Sequence, residues 1–239
     1  MKTTLHTIIL FFLVSFFTGC GFEKTIYIDT IYKTYKSSKY YHKKTKINKP
    51  NNKITILVDP GHGGKDPGAI GINGIKEKDI NFKVAVKVKN MLKKQGFNVR
   101  MTRWFDKFQP LSVRASYANK HDVDLLVSIH GNSAPKWKAK RTSGIETFYY
   151  RNSNTSKEAA SLVQKHLLEE VRSVMGKRTI KSRGSKGHGF YVLRKSDMPA
   201  ILVELGFLSH PLEAKRLARD SYQDLLAKGI SKGITKYFE

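Results

Sequence analysis

One cysteine in 239 residues excludes a disulfide framework, a cysteine-built zinc finger and an iron–sulfur site made by this chain alone. Acidic residues are also few. Asp and Glu total 19 against 44 Lys and Arg, a net charge of +25. That balance suits an anionic partner. No nucleic-acid module accompanies the charge, so nucleic acid is not expected as that partner. No internal repeat period is present, which excludes solenoids and propellers. The His-Glu-x-x-His motif of zinc proteases, a nucleophile elbow and a phosphate-binding loop are all missing. Gly61-His62-Gly63-Gly64 weakly imitates a dinucleotide turn, but Asp66-Pro67 stands where the third glycine is needed. Hydrophobic residues make up 40% of the chain, enough for a core and too many for wholesale disorder. The length fits one domain with appendages.

The first appendage is residues 1–20, which have the layout of an export signal. Lys2 supplies a short positive start, and Leu5 to Phe17 is mostly apolar. Phe17-Thr18-Gly19-Cys20 follows and resembles a bacterial lipoprotein signal, in which the cysteine is lipidated and becomes the first residue. A retained anchor is the second reading, and the apolar stretch is short for a spanning helix. The basic flank after Cys20 opposes export under the positive-inside trend. The second appendage, residues 21–53, carries nine lysines against Glu23 and Asp29. Such a run buries too little apolar surface to order itself and reads as a basic tether, with a coil reach of about 30 Å. The expected location is therefore outside the cell membrane, anchored to it and facing the periplasm or wall.

Residues 54–239 alternate between strand and helix patterns. Ile54–Asp59, Phe97–Thr102, Asp124–His130, Ile145–Tyr150, Phe190–Leu193 and Ala200–Val203 read as strands. Residues 77–95, Ser112–Lys120, Ser156–Met175 and Leu212–Phe238 read as helices. The pattern predicts a single α/β domain, a twisted and mostly parallel sheet with helices on both faces. Such sheets place ligands outside the C-terminal ends of their strands.

Three polar segments fall at that rim. They are Asp59-Pro60-Gly61-His62-Gly63-Gly64, Gly74-Ile75-Lys76-Glu77-Lys78-Asp79 and Ser128-Ile129-His130-Gly131-Asn132-Ser133. A catalytic zinc takes three N/O protein ligands and keeps one position open. His62, Glu77 and His130 supply such a set. Singly, each has an ordinary explanation: a turn histidine, a carboxylate favoured by a helix dipole, a satisfied core histidine. Together at one rim they favour a metal. Glu204 follows the apolar strand Ala200–Val203 and is placed as a general base that takes a proton from the attacking water. A structural carboxylate capping a loop is the alternative.

The segments Asp59–Gly64, Gly74–Asp79, Ser128–Ser133 and Val203–Ser209 resemble the motifs of the zinc-dependent N-acetylmuramoyl-L-alanine amidases of the amidase-3 family. The resemblance covers about residues 54–239. It implies His62, Glu77 and His130 as Zn2+ ligands and Glu204 as the catalytic glutamate. It implies peptidoglycan as substrate, cut between N-acetylmuramic acid and the L-alanine of the stem peptide. Asn132 and Asp59 are candidates for holding substrate or orienting a ligand, with turn capping an alternative for Asp59. Arg114 matches an arginine common in the family, with a structural ion pair as the alternative. Arg183 and His188, in the segment Arg183-Gly184-Ser185-Lys186-Gly187-His188 that reads as a loop, are candidates for binding anionic groups of the stem peptide. Some division amidases of the family carry a helix that blocks the zinc until an activator arrives. The short step from His130 to Gly144-Ile145-Glu146 leaves no room for one, so an enzyme without built-in inhibition, acting as a monomer, is expected. Other readings are a different zinc-dependent wall amide hydrolase, a peptidase or deacetylase, and a non-catalytic wall-binding lipoprotein.

Overall fold

Strand β1 (Thr55–Pro60) is buried along its whole length. Its run of Ile, Leu and Val has no polar face, as a strand covered on both sides requires. It lies between β2 (Asn98–Met101) and β3 (Leu125–Asn132), parallel to both. β6 (Ala200–Phe207) continues the parallel set beside β3. β4 (Ile145–Tyr150) then runs antiparallel to β6, and β5 (Ser182–His188) runs parallel to β4 at the edge. The order is β2-β1-β3-β6-β4-β5. A computed structural model describes residues 54–177 and 179–239. The signal-like segment 1–20 with Cys20, and the basic tether 21–53, lie outside the described residues. No described helix is long and apolar enough to cross a membrane.

One face of the sheet is covered by α1 (Glu77–Lys94), α3 (Asn154–Met175) and α6 (Asp220–Phe238). Ile56, Val58, Val127, Ile129, Ile201 and Val203 point into this larger core. The helices form for local reasons as well. α1 has Glu77 and Asp79 in its first turn and Lys93 and Lys94 in its last, matching the helix dipole at both ends. Its buried stripe is Ile80, Val84, Val88 and Leu92. At the start of α3 the Ser153 hydroxyl accepts from the Ser156 N–H.

The opposite face carries Leu57, Leu126 and Leu202 in a smaller core. Its cover is short: α2 (Leu111–Lys120) and the single turn α4 (Tyr191–Arg194). Side chains alternate along a strand, so Asp59, Ser128, His130 and Glu204 share this face. The remaining helix, α5 (Pro211–Leu217), packs beside β6.

Helices α3 and α6 pack closely because α6 offers two glycines to α3. A Cβ at Gly233 would lie 2.5 Å from the Val163 Cα, and one at Gly229 would lie 2.6 Å from the Leu167 Cα. Gly233→Ala gains about 1 kcal/mol in helix propensity, but forcing the helices apart costs about 1–3 kcal/mol. A net loss of stability, seen as a lower urea midpoint, is the expected result. An unchanged or higher midpoint would contradict the close crossing.

Three expectations need correction. Phe190–Leu193 is not a strand: Phe190 caps α4, and Val192 and Leu193 are buried from that turn. A short apolar run has no period by which to separate the two. Ser182–His188 is a strand although it has two glycines and no alternation. Pairing with β4 makes it one. β6 does not end at Val203 but runs through Glu204 to Phe207.

Candidate metal centre and active-site rim

Three elements bring His62, Glu77 and His130 together. His62 follows β1, His130 is on β3, and Glu77 opens α1. One ligand atom from each lies within 4.8 Å of the others. Glu77 Oε1 is 3.1 Å from His62 Nε2 and 2.9 Å from His130 Nδ1. Backbone and amide donors hold that carboxylate still. Ala69 N–H donates to Oε2, and Gly131 N–H and Asn81 Nδ2 donate to Oε1. Gly61 is obligatory, because a Cβ there would lie 2.2 Å from the His130 ring. His62 itself sits at φ +61, a left-handed conformation that a histidine adopts at some cost.

The residues fit a divalent cation of the zinc type. The donor set is two imidazole nitrogens and a carboxylate, as in open catalytic zinc sites. His62 Nδ1 donates to Asp66 Oδ2 at 2.7 Å, which fixes the tautomer and turns Nε2 toward Glu77. Asp66 carried no signal in the sequence beyond its place in a turn. Burial opposes charge on His62, but its hydrogen bonds to Glu77 and Asp66 outweigh this and push its pKa up to about 9. Burial also opposes charge on Glu77, and the two histidines outweigh it there, holding the carboxyl well below the usual range. Below pH 9 a metal must therefore displace a proton from His62. Apparent metal affinity is expected to rise about tenfold per unit between pH 7 and 9. A competition titration at three pH values measures this, and a flat profile would contradict it.

Glu204 stands beside these ligands. His130 on β3, Glu204 on β6 and Glu146 on β4 are in register across three strands. Glu204 is thus one strand spacing, about 5 Å, from His130. Its Oε2 is buried and has no hydrogen-bond partner among the described residues. Burial pushes its pKa up to about 7; Glu77 and Glu146 add to that rise, and His130 and His62 offset part of it. A carboxyl poised near neutrality, unpartnered and beside a metal-type ligand set, suits proton transfer.

Asp59 and Arg114 form a buried ion pair at 2.9 Å. Thr102 and Ser128 hydroxyls also donate to Asp59. Arg114 donates further to the carbonyls of Pro60, His62 and Gln109. Arg114 thus takes part in the structural ion pair given as its alternative, and Asp59 is the carboxylate that anchors it. Arg103, which the sequence did not mark, donates to the carbonyls of Pro60, Gly61 and Lys78. Two buried guanidinium groups thus fix the backbone that presents His62.

Asn132 points to Glu146, donating to Oε1 at 2.7 Å, and does not touch His130 by any hydrogen bond. Arg183 also reaches Glu146, at 3.1 Å. His188 is not brought to the site. It lies four residues farther along β5 than the Glu146 level, about 13 Å, with its ring 3.8 Å from that of Phe190. Glu146 is the buried carboxylate that sequence reasoning passed over.

The family model described as N-acetylmuramoyl-L-alanine amidase, Amidase_3, matches residues 56–236. The germination-specific N-acetylmuramoyl-L-alanine amidase of Bacillus subtilis is 36% identical over 197 residues, 77% of this chain and 79% of that protein. The N-acetylmuramoyl-L-alanine amidase AmiA of Escherichia coli is 30% identical over 259 residues, 92% of this chain and 87% of that protein. The crystal structure of an N-acetylmuramoyl-L-alanine amidase from Clostridium difficile 630 superposes with a TM-score of 0.73 at 39% identity, covering 78% of this chain and 97% of that one.

Proposed function

The chain belongs to the Amidase_3 family of N-acetylmuramoyl-L-alanine amidases, and from that premise we propose how its own residues carry out the hydrolysis of peptidoglycan. The bond is the amide between N-acetylmuramic acid and the L-alanine of the stem peptide. The carrying observation is the convergence of His62, Glu77 and His130 within 4.8 Å, with Glu204 on the adjoining strand. Zinc at these three residues supplies a Lewis acid for the amide carbonyl and a lowered pKa for water.

His62 and His130 would each give a ring nitrogen to the cation, and Asp66 holds the His62 ring by its other nitrogen. Glu77 brings the negative charge that binds a cation. Glu204 accepts the proton of the attacking water. It then returns that proton to the alanine nitrogen, so that the leaving group departs as an amine. Its unpartnered Oε2 supports this role, since no other group competes for the proton.

The same reading takes the enzyme to the outer side of the membrane. The signal-like segment 1–20, ending at Cys20, supports an exported and lipid-anchored chain, and the basic tether 21–53 supports adhesion to an anionic wall. All four site residues come from one chain, so the proposed centre is complete without a second copy; action as a monomer is part of the proposal. Residues 133–144, between β3 and β4, contain one short 3-10 segment, Lys136–Arg141, and no inserted helix that would block the site.

The test is mass analysis of purified peptidoglycan treated with the full chain, with zinc or with a chelator, and no added partner. The expected products are intact glycan strands and free peptides that begin with alanine, formed only with zinc. Cuts within the glycan or between amino acids would overturn the assigned bond. Activity only after a partner is added would overturn the absence of built-in inhibition.

A further inference from the structure

Glu146 is a third carboxylate on the face that carries Glu204, and the reaction above has no use for it. It is 3% exposed. Asn132 donates to its Oε1, Lys186 Nζ donates to Oε2 at 2.5 Å, and Arg183 Nε lies 3.1 Å from Oε1. One cation would neutralise one buried carboxylate. Two are present, and each loses side-chain freedom in being held there. Both remain in contact with solvent, with 26% of the Arg183 side chain and 42% of the Lys186 side chain exposed. Glu146 lies beneath them as a shared seat, and the pair carries a net positive charge outward.

The backbone is shaped to bring the two cations together. Between β4 and β5 the register slips at Ile145/Glu146, where Ser182 and Gly184 are the successive partners. Arg183 is the extra residue of a β-bulge. Gly184 takes φ +79, which a side chain would resist. In a regular strand Arg183 would face away from Gly184 and Lys186. The bulge turns it back to the Glu146 face, a use bulges often serve beside active sites. The Phe207 ring lies 5.1 Å from the Arg183 guanidinium, and the Phe148 ring 6.0 Å from the Lys186 amine.

We propose that Arg183 and Lys186, seated on Glu146, bind a free carboxylate of the stem peptide and give the enzyme its preference for peptides that carry one. The inference rests on the amidase reading above. Glu146 is two strands, about 10 Å, from His130 and on the far side of Glu204. An extended peptide advances about 3.5 Å per residue, so the pair reaches a group a few residues beyond the scissile amide. Two carboxylates qualify: the one on the residue after alanine and the one at the C-terminus of a short stem. Charge-assisted bonds to either favour it over an amide about ten- to hundredfold.

The experiment uses the zinc-loaded full chain and disaccharide-linked stem peptides in three forms: both carboxyl groups free, the second residue amidated, or the C-terminus amidated. Amidation at one of the two places is expected to lower kcat/KM about ten- to hundredfold, mainly through KM, and so to identify the group. Lys186→Gln and Arg183→Gln each bring that ratio to within about threefold of one, and Lys186→Arg restores it. Calorimetry of the same three disaccharide-linked peptides against the Glu204→Gln chain repeats the comparison without turnover. Equal values for all three forms in the parent enzyme, or an undiminished preference in both Gln variants, overturns the subsite and leaves the amidase reading intact. No cleavage with carboxylate-dependent binding overturns the amidase reading and supports the subsite. Neither cleavage nor carboxylate-dependent binding overturns both.

Discussion

Glu204→Gln is expected to lower kcat on peptidoglycan by about 10²–10⁴-fold, the usual worth of a positioned general base. Glutamine keeps the shape of the side chain and removes its capacity to take a proton. Glu204 is outside the three-residue ligand group, so zinc affinity is expected to stay within about threefold of the parent. The parent pH profile should carry an acidic limb from Glu204. Its raised pKa, about 7, means that the basic form grows as pH rises through that value. A cation on His62 and His130 favours the carboxylate and moves the limb below 7. The limb should vanish in Glu204→Gln. A kcat within about threefold of the parent, with zinc bound, would assign the base elsewhere.

The candidate trio of His62, Glu77 and His130 was legible because its residues break local patterns. His130 interrupts an apolar strand, Glu77 opens an amphipathic helix, and His62 sits among glycines just past a strand. Each break falls where an α/β sheet collects ligands. Glu204 was legible for the same reason, although it lies inside β6 and not past its end. The rest depended on long-range contacts. Arg103 is an ordinary arginine in sequence and Arg114 is marked there only by the family resemblance; the fold shows both fastening the backbone around His62. Glu146 lies just inside β4, but its importance comes from β5, which has no strand pattern at all. Ser182–His188 becomes a strand by pairing, and pairing is not a local property. The turn at Tyr191–Arg194 is the converse, an apolar run whose tertiary contacts favour a helix.

Arg114→Ala is expected to cost about 3–5 kcal/mol of stability, because it leaves the Asp59 carboxylate buried without its cation. That is a large share of the 5–15 kcal/mol that holds a typical domain. Arg114 is 3% exposed and Asp59 1% exposed, so water replaces nothing. Arg114→Lys should recover only part of the loss, since an ammonium cannot span Asp59, Pro60 and His62 as the guanidinium fork does. The pH dependence separates the pair from simple packing. Burial opposes ionisation of Asp59, but Arg114, Thr102 and Ser128 outweigh it and lower its pKa. Its contribution is therefore complete above the unfolded value of about 4 and is lost as pH falls through the lower folded value. Asp59→Asn should flatten the stability curve in that acidic window; a curve as steep as the parent's would remove Asp59 from the account. The pair also acts on the site through the backbone. Arg114 holds the carbonyl of His62, the residue kept at φ +61. In Arg114→Lys, at a temperature where the chain remains folded, His62 has fewer restraints against leaving that conformation. Zinc affinity should then fall about tenfold or more, whereas a variant that weakened only the core would bind zinc as tightly as the parent.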